Sequence, residues 1–347
     1  MLIRPLISVL FLLVTTIQLC AQKPKELFRS DSILEISLEL PIKDVVNDTK
    51  ERMKHDAKLY YTETDGSRVE HAIKVKVRGK TRALKQTCSF PPLELSFNKT
   101  DTKNTVFNDQ KKIKLVTHCM NDDMYEEYVQ KEYVVYKMYE KISPYSFNTR
   151  LFKINYVDAN NPKRKNMHYG FFIERLKDVA KRNNMRVLKD SIRIQEVVTQ
   201  KDLDKLVMFE FMIGNLDWSI PKKHNMKLII GDKGSLPMAV PYDFDYSGMV
   251  DTPYAIPPEE SNFEDVKTRH FRGFCRQDGY KSTIDFYLEI ENDLLEEIAK
   301  ADYLRDQTKK SMTKYMNSFY KNLKDPKYVE KKISKACRVK HKHAYEK

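Results

Sequence analysis

Seven short strand-like runs, many of them alternating with a period of two, at residues 33–40, 57–61, 69–78, 93–97, 112–118, 150–157 and 168–174, constrain this chain more than any other feature. In the third, Ile73, Val75 and Val77 alternate with Lys74, Lys76 and Arg78, the pattern of a strand with one face in a core. One helix interrupts the series. Over 125–139, Tyr128, Val129, Tyr133, Val135 and Tyr136 form an apolar stripe with Lys131 and Glu132 beside it. The second half is mostly helical, with helices expected over 201–213, 283–301 and 306–323 and a further short one starting at Pro326 and capped by Asp325. The expected fold class is α+β: a strand-rich N-terminal lobe over 22–174, a helix-rich C-terminal lobe over 175–347, and a cleft between them.

Composition disfavours several functions. The 347 residues include only 9 glycines, and no three fall at the spacing of a dinucleotide fingerprint or a Walker-type phosphate loop. The formal charge of +13 is unevenly placed, because residues 305–347 hold 14 Lys or Arg against 4 Asp or Glu, a net of +10. These basic residues lie between the helical repeats Met312, Tyr315, Met316, Phe319 and Leu323 rather than among stacking aromatics, so nucleic acid is not the expected partner. The plain expectation is a lysine-covered face of packed helices. The sharper one is docking of 305–347 onto an acidic partner or an anionic envelope surface.

Residues 1–21 have the form of a cleaved signal peptide: Arg4, a mainly apolar stretch over 5–19, and Ala21 as the small residue. The stretch is short of the roughly 20 apolar residues of a spanning helix, and no later segment is apolar enough to cross a membrane. A secreted or periplasmic location follows. Cys88, Cys119, Cys275 and Cys337 then allow two disulfides in three pairings. Cys88 with Cys119 is favoured because each ends or adjoins an expected strand, together with Cys275 and Cys337.

The richest chemistry lies in 211–248. A helix ends at Gly214 and is followed by Asn215, Asp217, Trp218, His224 and Asn225. Two apolar runs, 226–230 and 238–242, flank Gly231-Asp232-Lys233-Gly234-Ser235, a strong hairpin signal. Folding that hairpin brings Asn225 beside Asp243, with Asp217 on the adjoining loop. One amide oxygen and one or two carboxylates suffice to hold magnesium together with substrate phosphates, and a further carboxylate can orient or deprotonate an attacking hydroxyl. Asp217 is therefore the candidate base, Asn225 and Asp243 the candidate metal ligands, and Asp245 a second ligand or a support for the loop. His224 is expected to be structural.

The order Asn-x-Asp, Asn, then Pro-Tyr-Asp-Phe-Asp resembles the spore-coat protein H (CotH) family of atypical, secreted, protein-kinase-like enzymes. Val77-Arg78-Gly79-Lys80-Thr81, Phe90-Pro91-Pro92-Leu93-Glu94-Leu95 and Tyr169-Gly170-Phe171-Phe172-Ile173-Glu174 support it, so the resemblance spans roughly 70–250. It implies a two-lobed kinase-like fold, ATP with Mg2+ or Mn2+, and γ-phosphoryl transfer to a protein hydroxyl in the cell envelope or outside the cell. It also implies Asp217 as catalytic and Asn225 and Asp243 as metal ligands. The sequence departs from ordinary kinases in lacking a glycine-rich loop and the His-Arg-Asp triplet, and in a long interval from Asp217 to Asn225 that requires the loop to bulge. Lys114 with Glu132 is the expected nucleotide-positioning ion pair, with Arg78 and Glu174 as further contacts. The alternative function is a non-catalytic envelope or surface binding protein that retains the fold.

Overall fold

The computed structural model describes residues 23–63, 65–98, 100–189, 198–257 and 265–338. The signal-peptide expectation and the last nine residues of the basic segment lie outside them.

The seven expected strands all form, and they close on themselves. In chain order they are β1 (Leu34–Leu40), β2 (His55–Thr62), β3 (Arg68–Val77), β4 (Leu93–Phe97), β5 (Lys112–Val116), β6 (Thr149–Asp158) and β7 (Asn161–Ile173). The barrel order is β1-β2-β3-β4-β5-β7-β6. Neighbours run antiparallel except at the closure, where β1 pairs with β6 in parallel and Leu34 lies opposite Phe152. Closure leaves no long open edge. The inward residues form one core, including Ile36, Leu38, Ile73, Val75, Val77, Leu93, Leu95, Leu115 and Phe172.

Two helices accompany this set: the short α1 (Ile42–Asn47) between the first two strands and the 20-residue α2 (Asp123–Ile142) between β5 and β6. The Asp122 carboxylate caps α2 by accepting from the Met124 amide at 2.7 Å. Though it belongs to the strand-rich half of the chain, α2 buries Val129, Tyr133, Val134, Tyr136 and Met138 in a second core. That core also holds α3 (Leu176–Arg182), α4 (Gln200–Ile213) and the three-stranded sheet in which β9 (Met226–Ile230) lies between β8 (Arg186–Val187) and β10 (Met238–Pro241). The expected helix over 283–301 is two, α5 (Lys281–Glu289) and α6 (Glu291–Ala299), broken at Ile290. Then come α7 (Asp306–Leu323) and α8 (Pro326–Val329), whose cap is the Asp325 side chain.

The architecture is thus mixed α+β with two cores, joined where β5, β6 and β7 contribute side chains to both. Both favoured disulfides are present, Cys88–Cys119 and Cys275–Cys337. Among the described residues no helix is long and apolar enough to cross a membrane. The disulfides are compatible with a secreted or periplasmic protein.

Candidate functional site

Helix α4 ends at Gly214, whose left-handed backbone (φ 68°) turns the chain sharply out of the helix. The loop that follows is fixed residue by residue. Asn215 Nδ2 donates to the buried Glu210 at 2.9 Å, while its Oδ1 accepts the Asp217 amide at 3.0 Å. Residues 220–223 then form the bulge that the long interval required. Ser219 and His224 exchange two backbone hydrogen bonds of 2.9 Å across its base. Asn225 is thereby returned to Asp217, donating from Nδ2 to the Asp217 carbonyl at 2.7 Å and to Oδ2 at 2.9 Å. The other oxygen, Oδ1, lies 2.7 Å from His224 Nε2. His224 is therefore a direct partner of Asp217.

The hairpin joins this loop to Asp243. Tyr242 donates its amide to the Asn225 carbonyl at 3.0 Å, and the Asp243 amide donates to Tyr136 Oη on α2 at 2.8 Å. Asn225 and Asp243 both have positive φ, 50° and 69°, a region that Asn and Asp tolerate better than most residues. Such backbone conformations cluster at functional sites. Next in the chain, Phe244 is fully buried against Tyr136 and Phe209 with centroids 4.7 and 5.5 Å away, and its amide donates to Glu132 Oε1 at 3.3 Å.

Glu132 does not pair with Lys114. Its cation is Arg82, from a short turn beyond β3, with Nη1 3.9 Å from Glu132 Oε2 and 4.0 Å from Asp245 Oδ2. Arg82 also donates to the Thr117 carbonyl at 2.6 Å, and the Cys88–Cys119 disulfide staples the neighbouring strands. Asp245 accepts from the Tyr254 hydroxyl at 3.0 Å. Burial pushes the Glu132 and Asp245 carboxyls up, the nearby acids push them further, and Arg82 opposes both effects. Asp245 thus has partners of its own in Arg82 and Tyr254.

Lys114 is directed elsewhere. Its ammonium lies 5.4 Å from the Tyr242 ring centroid, and Lys227 of β9 lies 4.9 Å from the same ring. Burial lowers Lys114 to about 8, helped by Arg78 and Lys227 and opposed by Asp243. Arg78, Lys227 and the Asp243 carboxylate therefore all act on the Lys114 ammonium. Glu174 stands apart from this group: it accepts from the Asn148 amide at 3.1 Å and pairs with Arg182 at 3.2 Å. Burial raises it to about 7.

Asn225 and Asp243 are the residues that could hold a hard divalent ion shared with a ligand. Asn225 donates through Nδ2 and so keeps its Oδ1 lone pairs, and among the described residues the Asp243 carboxylate makes no hydrogen bond or ion pair. No group of three His, Cys, Asp or Glu is arranged to cage a metal among them either. A protein supplying two oxygens and leaving the rest to water and phosphate needs no such cage.

Asp217 also lines a groove of about 280 Å³ with Leu216, Tyr246, Ile256, Pro257 and Val266. Arg82, Lys227 and Tyr254 were not singled out from the sequence, and Tyr136 was read only as part of an apolar stripe. Lys227 could have been, because period two from Asn225 puts the two residues on one side of β9. No protein-family model and no curated protein matches the chain.

Proposed function

We propose that this protein is a secreted or periplasmic, metal-dependent phosphotransferase of the CotH type, with a two-lobed kinase-like arrangement, that transfers the γ-phosphoryl group of ATP to a protein hydroxyl. The observation that carries this reading is the joining of Asp217, Asn225 and Asp243 through one loop and one hairpin, beside Arg78, Lys114 and Lys227. The order of parts also supports it: a strand lysine, a helix glutamate, a base loop, an amide ligand and a strand-end aspartate follow one another as in protein kinases. The departure is that Arg82 takes the place of the lysine paired with the helix glutamate.

In this mechanism Asp217, half-buried at the groove, accepts a hydrogen bond from the acceptor hydroxyl and takes its proton as the new O–P bond forms and the bond from the γ-phosphorus to the β-phosphate oxygen breaks. His224 and Asn225 hold the Asp217 carboxylate in one orientation. Arg78, Lys114 and Lys227 offset phosphate charge, and Lys114 does so from a site where burial lowers it to about 8. Asn225 and Asp243 would hold Mg2+ or Mn2+, which when bound neutralises charge on the phosphate oxygens.

The test is incubation of the purified protein with ATP and magnesium or manganese, followed by mass spectrometry of the protein itself and of a basic generic substrate. Phosphate is expected on wild type and absent from Asp217→Ala and Asp243→Ala. Full activity in Asp243→Ala, or no phosphate and no metal-dependent ATP binding in wild type, would sink the reading in favour of a non-catalytic binding protein. A docking role for the C-terminal helices accompanies it. From Gln307 to Lys324 there is no acidic residue, and Lys310, Lys314 and Lys321 are exposed opposite the buried Met312, Met316 and Phe319. This face suits an acidic partner protein, and binding of an acidic peptide should weaken with salt.

A further inference from the structure

We propose that the Cys275–Cys337 disulfide is a reducible control on the candidate site, acting through Arg272, a positioning residue that clamps the backbone on both sides of Asp217. Its catalytic consequence rests on the phosphotransferase reading, whereas the clamp can be read without activity.

Arg272 Nη1 donates to the carbonyls of Leu216 at 2.7 Å and Trp218 at 3.1 Å, the residues flanking Asp217. The guanidinium lies 4.9 Å from the centroid of the Trp218 ring. Glu210, which holds Asn215, faces the same guanidinium. The Asp217 loop is therefore gripped from α4 on one side and by Arg272 on the other.

No helix or regular strand holds Arg272. Arg269 and Tyr280 anchor its segment at either end, through the Met212 and Phe274 carbonyls. Between them the segment leans on the C-terminal chain. Arg338 donates its amide to the Gly273 carbonyl at 2.8 Å, accepts from the Cys275 amide at 3.0 Å, and donates from its guanidinium to the Arg272 carbonyl. Cys337, one residue earlier, is bonded to Cys275 across 62 residues of sequence. The disulfide fixes the contact that holds Arg272.

The two disulfides differ in access. Cys88 and Cys119 are 1% and 2% exposed. Cys275 is exposed and lines a cavity of about 990 Å³ with Lys201, Asp204, Arg276 and Asp278, and Cys337 is half-buried. Exchange requires a thiolate to reach a disulfide sulfur, and exposed disulfides are the labile ones. A dithiol reductant would attack Cys275 Sγ, forming a mixed disulfide and releasing Cys337 as a thiol. Its second thiol then displaces Cys275, and the reductant departs as its own disulfide, having passed two electrons and two protons to the pair.

Trp218 is the only tryptophan, so intrinsic fluorescence reports on the clamped loop directly. The experiment treats the native full chain with dithiothreitol, maps alkylated cysteines by peptide mass, and measures acrylamide quenching of Trp218. The expected result is alkylation at Cys275 and Cys337 but not at Cys88 or Cys119, with stronger quenching. Arg272→Met should reproduce that quenching while oxidised, and reduction should then add little. In the transfer assay both should lower kcat roughly tenfold to a hundredfold, as a slightly misplaced catalytic group does, with the KM for ATP little changed. Arg272→Lys keeps the charge without the two-carbonyl fork, should quench to an intermediate degree, and replaces Arg272→Met if that variant does not fold. Unchanged quenching after Cys275 and Cys337 are alkylated overturns the redox link. Unchanged quenching in both Arg272 variants overturns the clamp. A wild type without phosphotransfer counts against the proposed function alone, and the quenching still decides this proposal.

Discussion

Asp217 and Lys114 carry opposite charges under opposite constraints. Asp217 is about one-third exposed, with each oxygen bonded to one neighbour, so its orientation is set while its charge stays solvated. Replacing it by Asn keeps the size and one acceptor but removes the proton acceptor. Asp217→Asn should lower kcat by about 10²- to 10⁴-fold, the usual contribution of a general base, with ATP binding retained in an equilibrium assay. Lys114 is half-buried, and burial with two neighbouring cations brings it to about 8. Below that value it is charged and attracts phosphate. Bound phosphate would raise its pKa, so ATP affinity is fully present below the free value and falls as pH rises through about 8. Lys114→Arg should flatten this dependence, because a guanidinium stays charged. An affinity that falls equally in Lys114→Arg would remove Lys114 from the phosphate contacts.

At the scale of elements, α4 delivers the Asp217 loop only because its last turn can end abruptly. Gly214 has φ 68°, and a Cβ there would collide with Tyr315 Oη, which donates to the Lys267 carbonyl at 2.9 Å while Arg269 lies 3.7 Å from the ring centroid. Tyr315 cannot move away cheaply. Gly214→Ala should cost at least the roughly 1–2 kcal/mol of a left-handed L-residue, measured by urea unfolding. Tyr315→Phe should restore part of any excess. A Gly214→Ala change that costs nothing would mean that this turn does not set the loop. Much at this scale was legible beforehand. Short strand-like runs, many of them with period two, marked all seven barrel strands, and Gly231 to Ser235 marked the β9–β10 hairpin, because local chemistry decides both. Barrel closure was not legible, since pairing β1 with β6 joins segments that no local pattern links. Nor was the role of Arg82. A charged residue in a short turn gives no sign that tertiary packing will bury it against Glu132 and Asp245.

The molecule as a whole divides its candidate ligands between two cores. Arg78 and Lys114 lie on or beside barrel strands, whereas Asp217, Asn225 and Asp243 belong to the loop and hairpin packed on the helical core. Strands β5, β6 and β7 send side chains into both cores, and α2, packed on the helical side, meets the hairpin through Glu132 and Tyr136. A metal-bound nucleotide contacting both groups would tie the cores together and stabilise the native state by mass action. The gain is about 2.7 kcal/mol at a ligand concentration 100-fold above Kd. Saturating ATP with magnesium should therefore raise the midpoint of thermal unfolding, and either component alone should do so much less. Arg78→Met on the barrel side and Asp243→Asn on the hairpin side should each reduce the shift, because each removes one end of the bridge. If only one of the two does so, the nucleotide binds one core rather than the cleft. The division of phosphate and metal contacts between strand-rich and helix-rich parts would then be wrong, even if Asp217 proves catalytic.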